Sequence, residues 1–170
     1  MAEALLSSVT YARSVRVGHG FDVHPFSPDP GRALVLGGIA LEGERGLAGH
    51  SDADALAHAA AEALLGAAGL GDLGRHFPDT DPAWAGADSM VLLAEVMGRV
   101  AEVGWRPTNV DCTVVLEAPK LAPHRGAMEA RLGHTIGAPV SVKATRPEGL
   151  GALGRSEGIA CFAVALLEAR

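Results

Sequence analysis

Ser51–Ala68, SDADALAHAAAEALLGAA, reads as one helix. Ser51 suits an N-cap. Asp52 and Asp54 suit a first turn, where carboxylates meet the positive end of the helix dipole. Leu56, Ala60, Leu64 and Ala67 recur at the spacing of one helical face. His58 stands inside this Ala/Leu-rich run, and a polar ring there needs a partner.

Working outward, Val15–His24 reads as a strand, and Pro25, Pro28, Pro30 and Gly31 force a loop after it. Ala33–Leu36 and Ile39–Leu41 flank Gly37-Gly38, a hairpin signal. Gly69–Pro82 is too rich in Gly, Asp and Pro to stay regular for long. A helix is expected over Asp88–Val103, a strand over Val110–Glu117, a helix over His124–Ile136 and a strand over Val140–Thr145. Arg146–Glu157 reads as a Gly-rich loop and Gly158–Glu168 as a last strand. This order predicts an α+β fold, a mixed β-sheet packed by helices on one face. Residues 1–14 read as an N-terminal extension without signal-peptide character, and 15–170 as a single domain.

Composition narrows the function. The chain has 170 residues, 48% hydrophobic but only 4% aromatic, so Ala, Leu and Val must fill the core. Such a core gains little area per residue, and self-association would help it. A net charge of −6 disfavours broad nucleic-acid binding, which needs a basic face. Cys112 and Cys161 form no CxxC pair and sit in apolar runs, as buried thiols of a reducing, cytoplasmic compartment would. The longest apolar run, Ile159–Leu167, is nine residues, too short to cross a bilayer as a helix.

Four of the seven histidines fall between His19 and His58. Asp22 and His24 are two apart on a strand, so they share a face. With His58 they make one carboxylate and two imidazoles. A catalytic zinc keeps such a set and leaves its fourth position open. Asp-x-His alone is also an ordinary half-exposed strand pattern; His58 shifts the balance. Asp54 either orients a ligand or serves only as a helix-start carboxylate. His19 alternates with Gly18 and Gly20 and is expected to pack inward. Gly149–Gly154, GLGALG, matches G-x-G-x-x-G but is a decoy, because a dinucleotide motif opens a helix and the run that follows here looks like a strand.

The blocks Arg16–Phe26 (RVGHGFDVHPF), His50–His58 (HSDADALAH), Gly71–Asp81 (GDLGRHFPDTD), Asp88-Ser89, Ala118–Lys120 (APK) and Gly154–Cys161 (GRSEGIAC) occur in order over residues 15–168. Together they resemble the 2-C-methyl-D-erythritol 2,4-cyclodiphosphate synthase family. The resemblance implies a homotrimer with active sites between subunits. It implies zinc on Asp22, His24 and His58, and a second divalent cation, Mg²⁺ or Mn²⁺, through Glu148. Substrate contacts would come from Asp22, Val23, His24, His50 and Ser51, and from the loop residues Asp72, Leu73, Gly74, Phe77, Pro78, Asp79, Thr80 and Asp81. Leu116, Glu117, Ala118, Pro119, Lys120, Leu121 and Ala122 would form the cytidine pocket. Thr145, Arg146, Pro147, Glu148, Ala152 and Arg155 would lie near the diphosphate or the trimer axis. His50 would stabilise developing charge, placed before a helix N-terminus whose amides favour anions. Unaided by the family, Asp72, Asp79 and Asp81 read as turn caps and Lys120 equally as a surface lysine.

One stretch departs from the family pattern. Thr145-Arg146-Pro147-Glu148 carries Arg146 where a threonine is usual. A guanidinium also stabilises phosphoryl charge, but Pro147 restricts the residue before it. Ala152 replaces a larger apolar residue, and Phe162 either refills that space or packs as an ordinary strand residue. Two other readings use the same residues. A zinc-dependent phosphohydrolase would yield a linear product, and a non-catalytic nucleotide-binding trimer would not turn over at all.

Overall fold

A computed structural model describes residues 14–170. The expected extension therefore lies outside the described residues, apart from Ser14, whose carbonyl accepts from the amide of Ala169. Among the described residues there are six strands. They are β1 (Val15–Pro25), β2 (Ala33–Leu36), β3 (Ile39–Arg45), β4 (Trp105–Val115), β5 (Val140–Thr145) and β6 (Gly158–Ala169). The helices are α1 (Ala55–Ala68), α2 (Leu73–His76), α3 (Ser89–Glu102), α4 (Arg125–Ile136) and α5 (Gly151–Gly154), with a 3₁₀ turn at Pro82–Trp84.

The main sheet has the order β1-β6-β4-β5. β6 runs antiparallel to both β1 and β4, and β4 runs parallel to β5, so the sheet is mixed as expected. α1 lies across β1, β6 and β4, while α3 reaches β4 and α4 reaches β5. β4 begins five residues earlier than its apolar run suggests. Pro107 sits there beside an irregularity in the pairing with β6, where a missing amide is tolerated.

The β2–β3 hairpin forms a second sheet. Gly37 and Gly38 take φ 60° and 71°, the two positive values that a two-residue hairpin turn of this hand requires.

Three expectations change. α1 starts at Ala55 with Asp54, not Ser51, as its N-cap. The Asp54 side chain accepts from the amides of Leu56 and Ala57. The loop Arg146–Glu157 contains the short α5, a single turn that lacks the length of a dinucleotide-binding helix. His19 does not pack inward. The even positions Gly18 and Gly20 face α1, and His19 is exposed on the opposite face, 6.1 Å from the Phe162 ring.

That opposite face is uncovered by any described element. Phe21 and Phe162 stack there at 4.9 Å between centroids, beside exposed Val17, Val23 and Val164. The inner face is an Ala/Leu/Val core, as composition demanded. α1 alone buries eight alanines and three leucines.

Candidate metal centre and active-site cavity

β1 and α1 bring the three candidate ligands together. Asp22 and His24 point from β1 toward α1, and His58 points back from it. Asp22 Oδ2 lies 3.0 Å from His24 Nε2 and 3.0 Å from His58 Nδ1, and the two nitrogens are 3.4 Å apart. A tetrahedral ion with ligand bonds of about 2.0–2.1 Å needs donor atoms about 3.3 Å apart, so this set fits a zinc-sized ion. Among the described residues it is the one cluster of three such donors.

His24 is fixed by a backbone group. Its Nδ1 donates to the carbonyl of Ala48 at 2.8 Å. A carbonyl only accepts, so the proton is on Nδ1 and Nε2 offers its lone pair to an ion. The distal Nε2 of His58 meets Ser89 Oγ at 2.8 Å and Ser51 Oγ at 3.2 Å.

Electrostatics reflect this crowding. Burial alone would raise the Asp22 carboxyl, but the hydrogen bonds and charge of His24 and His58 hold it well below the usual carboxylate range. Burial would lower His24. Its hydrogen bond to Asp22, the Asp22 charge and the Ala48 carbonyl outweigh that and raise it.

The triad opens into a cavity of about 490 Å³. Predicted residues His50, Ser51, Leu73, Gly74, Phe77, Pro78 and Asp79 line it, joined by Glu62, Trp84 and Leu92. Phe77 and Trp84 meet edge to face at 5.0 Å and give it an apolar wall. Glu62 Oε1 accepts from the amide of Leu73, which ties the loop to α1.

Other predicted residues lie elsewhere in the chain. Asp72 and Asp81 cap turns, accepting from the amides of Arg75 and Ala83, and Thr80 is exposed beside them. Val23 faces out from the open side of the sheet. Leu116, Glu117, Pro119, Lys120, Leu121, Ala122, Thr145 and Arg146 line a separate cleft of about 200 Å³, none of them shared with the metal cavity. The Ala118–Pro119 peptide there is cis. Arg146 is engaged through Nε and Nη2 with Glu117 Oε2, at 3.0 and 2.8 Å. Pro147, Glu148 and Ala152 continue this loop, and Arg155 pairs with Glu157 at 2.6 Å.

At the start of α1 the Asp54 side chain takes the amides of Leu56 and Ala57, and it also takes those of Gly37 and Gly38. Asp54 is thus a helix-start carboxylate that pins the hairpin, and the ligands are oriented by other groups.

Sequence reasoning also missed three contributors. Ala48 acts through its carbonyl, which no side-chain pattern reveals. Ser89 lies in the Asp88-Ser89 block, but its reach to His58 spans two helices. Arg32 donates from Nη2 to the Ser51 carbonyl.

The YgbB family model matches residues 15–168. A 2-C-methyl-D-erythritol 2,4-cyclodiphosphate synthase from Symbiobacterium thermophilum is 56% identical over 157 residues, 91% of this chain and 99% of the relative. Among solved structures, the bifunctional IspDF from Campylobacter jejuni superposes with a TM-score of 0.89 at 40% identity, over 94% of this chain and 43% of that one. A 2C-methyl-D-erythritol-2,4-cyclodiphosphate synthase solved with CDP gives 0.80 at 39% identity, over 89% and 99%. The chain belongs to the YgbB family, that of the 2-C-methyl-D-erythritol 2,4-cyclodiphosphate synthases.

Proposed function

We propose that this enzyme cyclises 4-diphosphocytidyl-2-C-methyl-D-erythritol 2-phosphate and releases CMP, as a phosphorus–oxygen lyase of the non-mevalonate isoprenoid precursor pathway. The observation that carries this reading is the convergence of Asp22, His24 and His58 at one end of a cavity walled by Leu73–Asp79.

An oxygen of the substrate's 2-phosphate attacks the β-phosphorus. The bond from that phosphorus to the oxygen bridging it to the α-phosphate breaks, and CMP leaves with that oxygen and the electron pair. No protein nucleophile is needed. Holding the two phosphates in line can contribute about 7–11 kcal/mol.

Zinc bound at the triad would supply Lewis-acid polarisation of the β-phosphate. The second cation, Mg²⁺ or Mn²⁺, would be held by Glu148 through hard oxygen contacts. The exposed His50 ring at the cavity wall would donate to charge growing on phosphate oxygens. Asp79, with the apolar edge of Phe77 and Trp84, would hold the methylerythritol part. The cleft around Pro119 and Lys120 would take cytidine.

The metal cavity and the cleft are separate within one protomer, which suits a site completed between subunits. The open sheet face supports a homotrimer: its apolar patch, with Val17 68% and Phe21 48% exposed, is costly to leave in water.

Bound zinc and CMP release, measured on the purified protein, test the reading. His58→Ala is expected to lose both. Full turnover by that variant, or a linear product in place of the cyclic one, would sink it.

A further inference from the structure

We infer that Asp52 and Ser89 form a relay that sets the tautomer of His58 and so holds its metal-facing nitrogen ready. This rests on the metal site proposed above.

The directions of the hydrogen bonds carry the inference. The Asp52 carboxylate can only accept. Its Oδ2 takes the amide of Ser89 at 3.1 Å, and its Oδ1 takes the Ser89 hydroxyl. A serine has one hydroxyl proton. With that proton committed to Asp52, the oxygen of Ser89 faces His58 only as an acceptor. At 2.8 Å it therefore receives Nε2–H from His58. A neutral imidazole has one N–H, so when an ion sits among Nδ1, Asp22 Oδ2 and His24 Nε2, which lie 3.0 and 3.4 Å from Nδ1, it is the Nδ1 lone pair that faces the ion.

The arrangement mirrors the His24–Ala48 contact. One ligand is oriented by a carbonyl that cannot donate, the other by a hydroxyl prevented from donating. Ser51 Oγ lies farther from Nε2, at 3.2 Å, and accepts from the amide of Ala53 with one lone pair; its proton is left to turn either way, so it sets no direction for the ring.

The local backbone is built to hold the relay. Asp52 donates its own amide to the carbonyl of Ala87, and Ser89 is the first residue of α3, capped by Asp88. Ser89 is 1% exposed, so water does not compete for its hydroxyl. Outer partners of this kind change metal affinity by 10- to 100-fold.

Ser89 and Asp52 are positioning residues, and a purely structural clasp between the starts of α1 and α3 is the rival account. Zinc affinity by chelator competition separates the two. Ser89→Ala leaves every formal charge in place and is expected to weaken zinc binding at least tenfold, while Ser89→Thr, which keeps the hydroxyl, stays within about threefold of the parent. In Asp52→Asn the new amide can donate to Ser89 and free its hydroxyl to point at Nε2, favouring the wrong tautomer, so it should weaken zinc at least as much as Ser89→Ala.

Because both residues act through one chain, the double variant should be little worse than Asp52→Asn alone. Metal-loaded protein needs no variant at all. With ¹¹³Cd in place of zinc, ¹⁵N coupling should fall on His58 Nδ1, with a slowly exchanging proton on Nε2.

Zinc affinity within twofold of the parent in Ser89→Ala, fully additive losses in the double variant, or metal coupling to His58 Nε2 would each overturn the relay. Failure of the function itself would look different: stoichiometric tight zinc with no CMP release leaves the relay standing.

Discussion

A β-carbon built on Gly20 would lie 2.0 Å from the carbonyl oxygen of Ala59, and one on Gly18 1.9 Å from that of Ala63. α1 thus rests directly on the backbone of β1. That approach is what lets His58 reach Asp22 and His24, two residues beyond Gly20 and farther along the strand. The obstacle in each case is main chain within a helix, which cannot swing aside. Gly20→Ala is expected to cost about 3 kcal/mol or more, the upper part of the range for overpacking. It should also weaken zinc binding, because α1 must lift from β1. Urea unfolding and zinc titration of the same preparation check both; a stable variant with parental zinc affinity would show the contact to be looser.

Asp54 joins three pieces of chain. It is fully buried and accepts from four amides, two in α1 and two at the hairpin turn. Burial pushes its carboxyl up, and the amides of Ala57, Gly38 and Gly37 only partly oppose that. Asp54→Ala removes the cap and strands buried N–H groups, a loss of about 2–4 kcal/mol. Asp54→Asn retains one acceptor and should recover part of it. Thermal unfolding in the presence and absence of zinc reads this, and an equal loss in both states is expected because Asp54 meets His58 only through its backbone carbonyl, which the substitution keeps.

The elements of this fold were legible where a single periodic signal dominates. β5 was bounded to the residue, and α3 and α4 to within one. The ligand triad was legible because the strand period puts Asp22 and His24 on one face. What escaped were relationships across elements. Nothing local says that Gly18 and Gly20 face inward and His19 outward; the alternation allows both, and only the packing of an Ala-rich helix decides it. Ser51 and Asp54 are equally good caps by type, and the hairpin amides, supplied from 16 and 17 residues away, select Asp54. Ala48 and Ser89 orient the ligands through a carbonyl and a long-range hydroxyl contact, which leave no spacing in the sequence.

The two thiols should be inert in the folded protein. Burial pushes Cys112 up to about 12 and Cys161 well up, and both side chains are shielded beneath α1. Thiolate is the reactive form, so alkylation at pH 8 requires unfolding. Iodoacetamide should modify neither residue in native buffer and both in guanidinium. Fast native modification of either would mean that α1 opens readily from the sheet.

Glu117 holds the loop beside the second cleft. Its Oε1 accepts from the amide of Gly149 and its Oε2 from Arg146. The amide of Gly149 first, and Arg146 second, hold its carboxyl below the ordinary 4.5. A depressed carboxyl stabilises its contacts fully above the ordinary value and loses them as pH falls through its own lower value. The loop should therefore stay closed on Glu117 across neutral and mildly acid pH and release below 4.5. The amide resonance of Gly149 reports this directly: it should titrate with a midpoint below 4.5, and Glu117→Gln should abolish the titration. While the contact lasts, Arg146 has two of its five donors on Glu117 and its charge is paired, which restrains it from turning to a phosphoryl group. Glu117→Gln frees Arg146 from this contact, and an altered kcat in that variant that adding Arg146→Thr reverses would assign Arg146 to the reaction, whereas a change that persists in the double variant would belong to Glu117 and its own cleft. A Gly149 midpoint at or above 4.5 would show that the Glu117 contacts do not form in solution, and with them would go the restraint on Arg146.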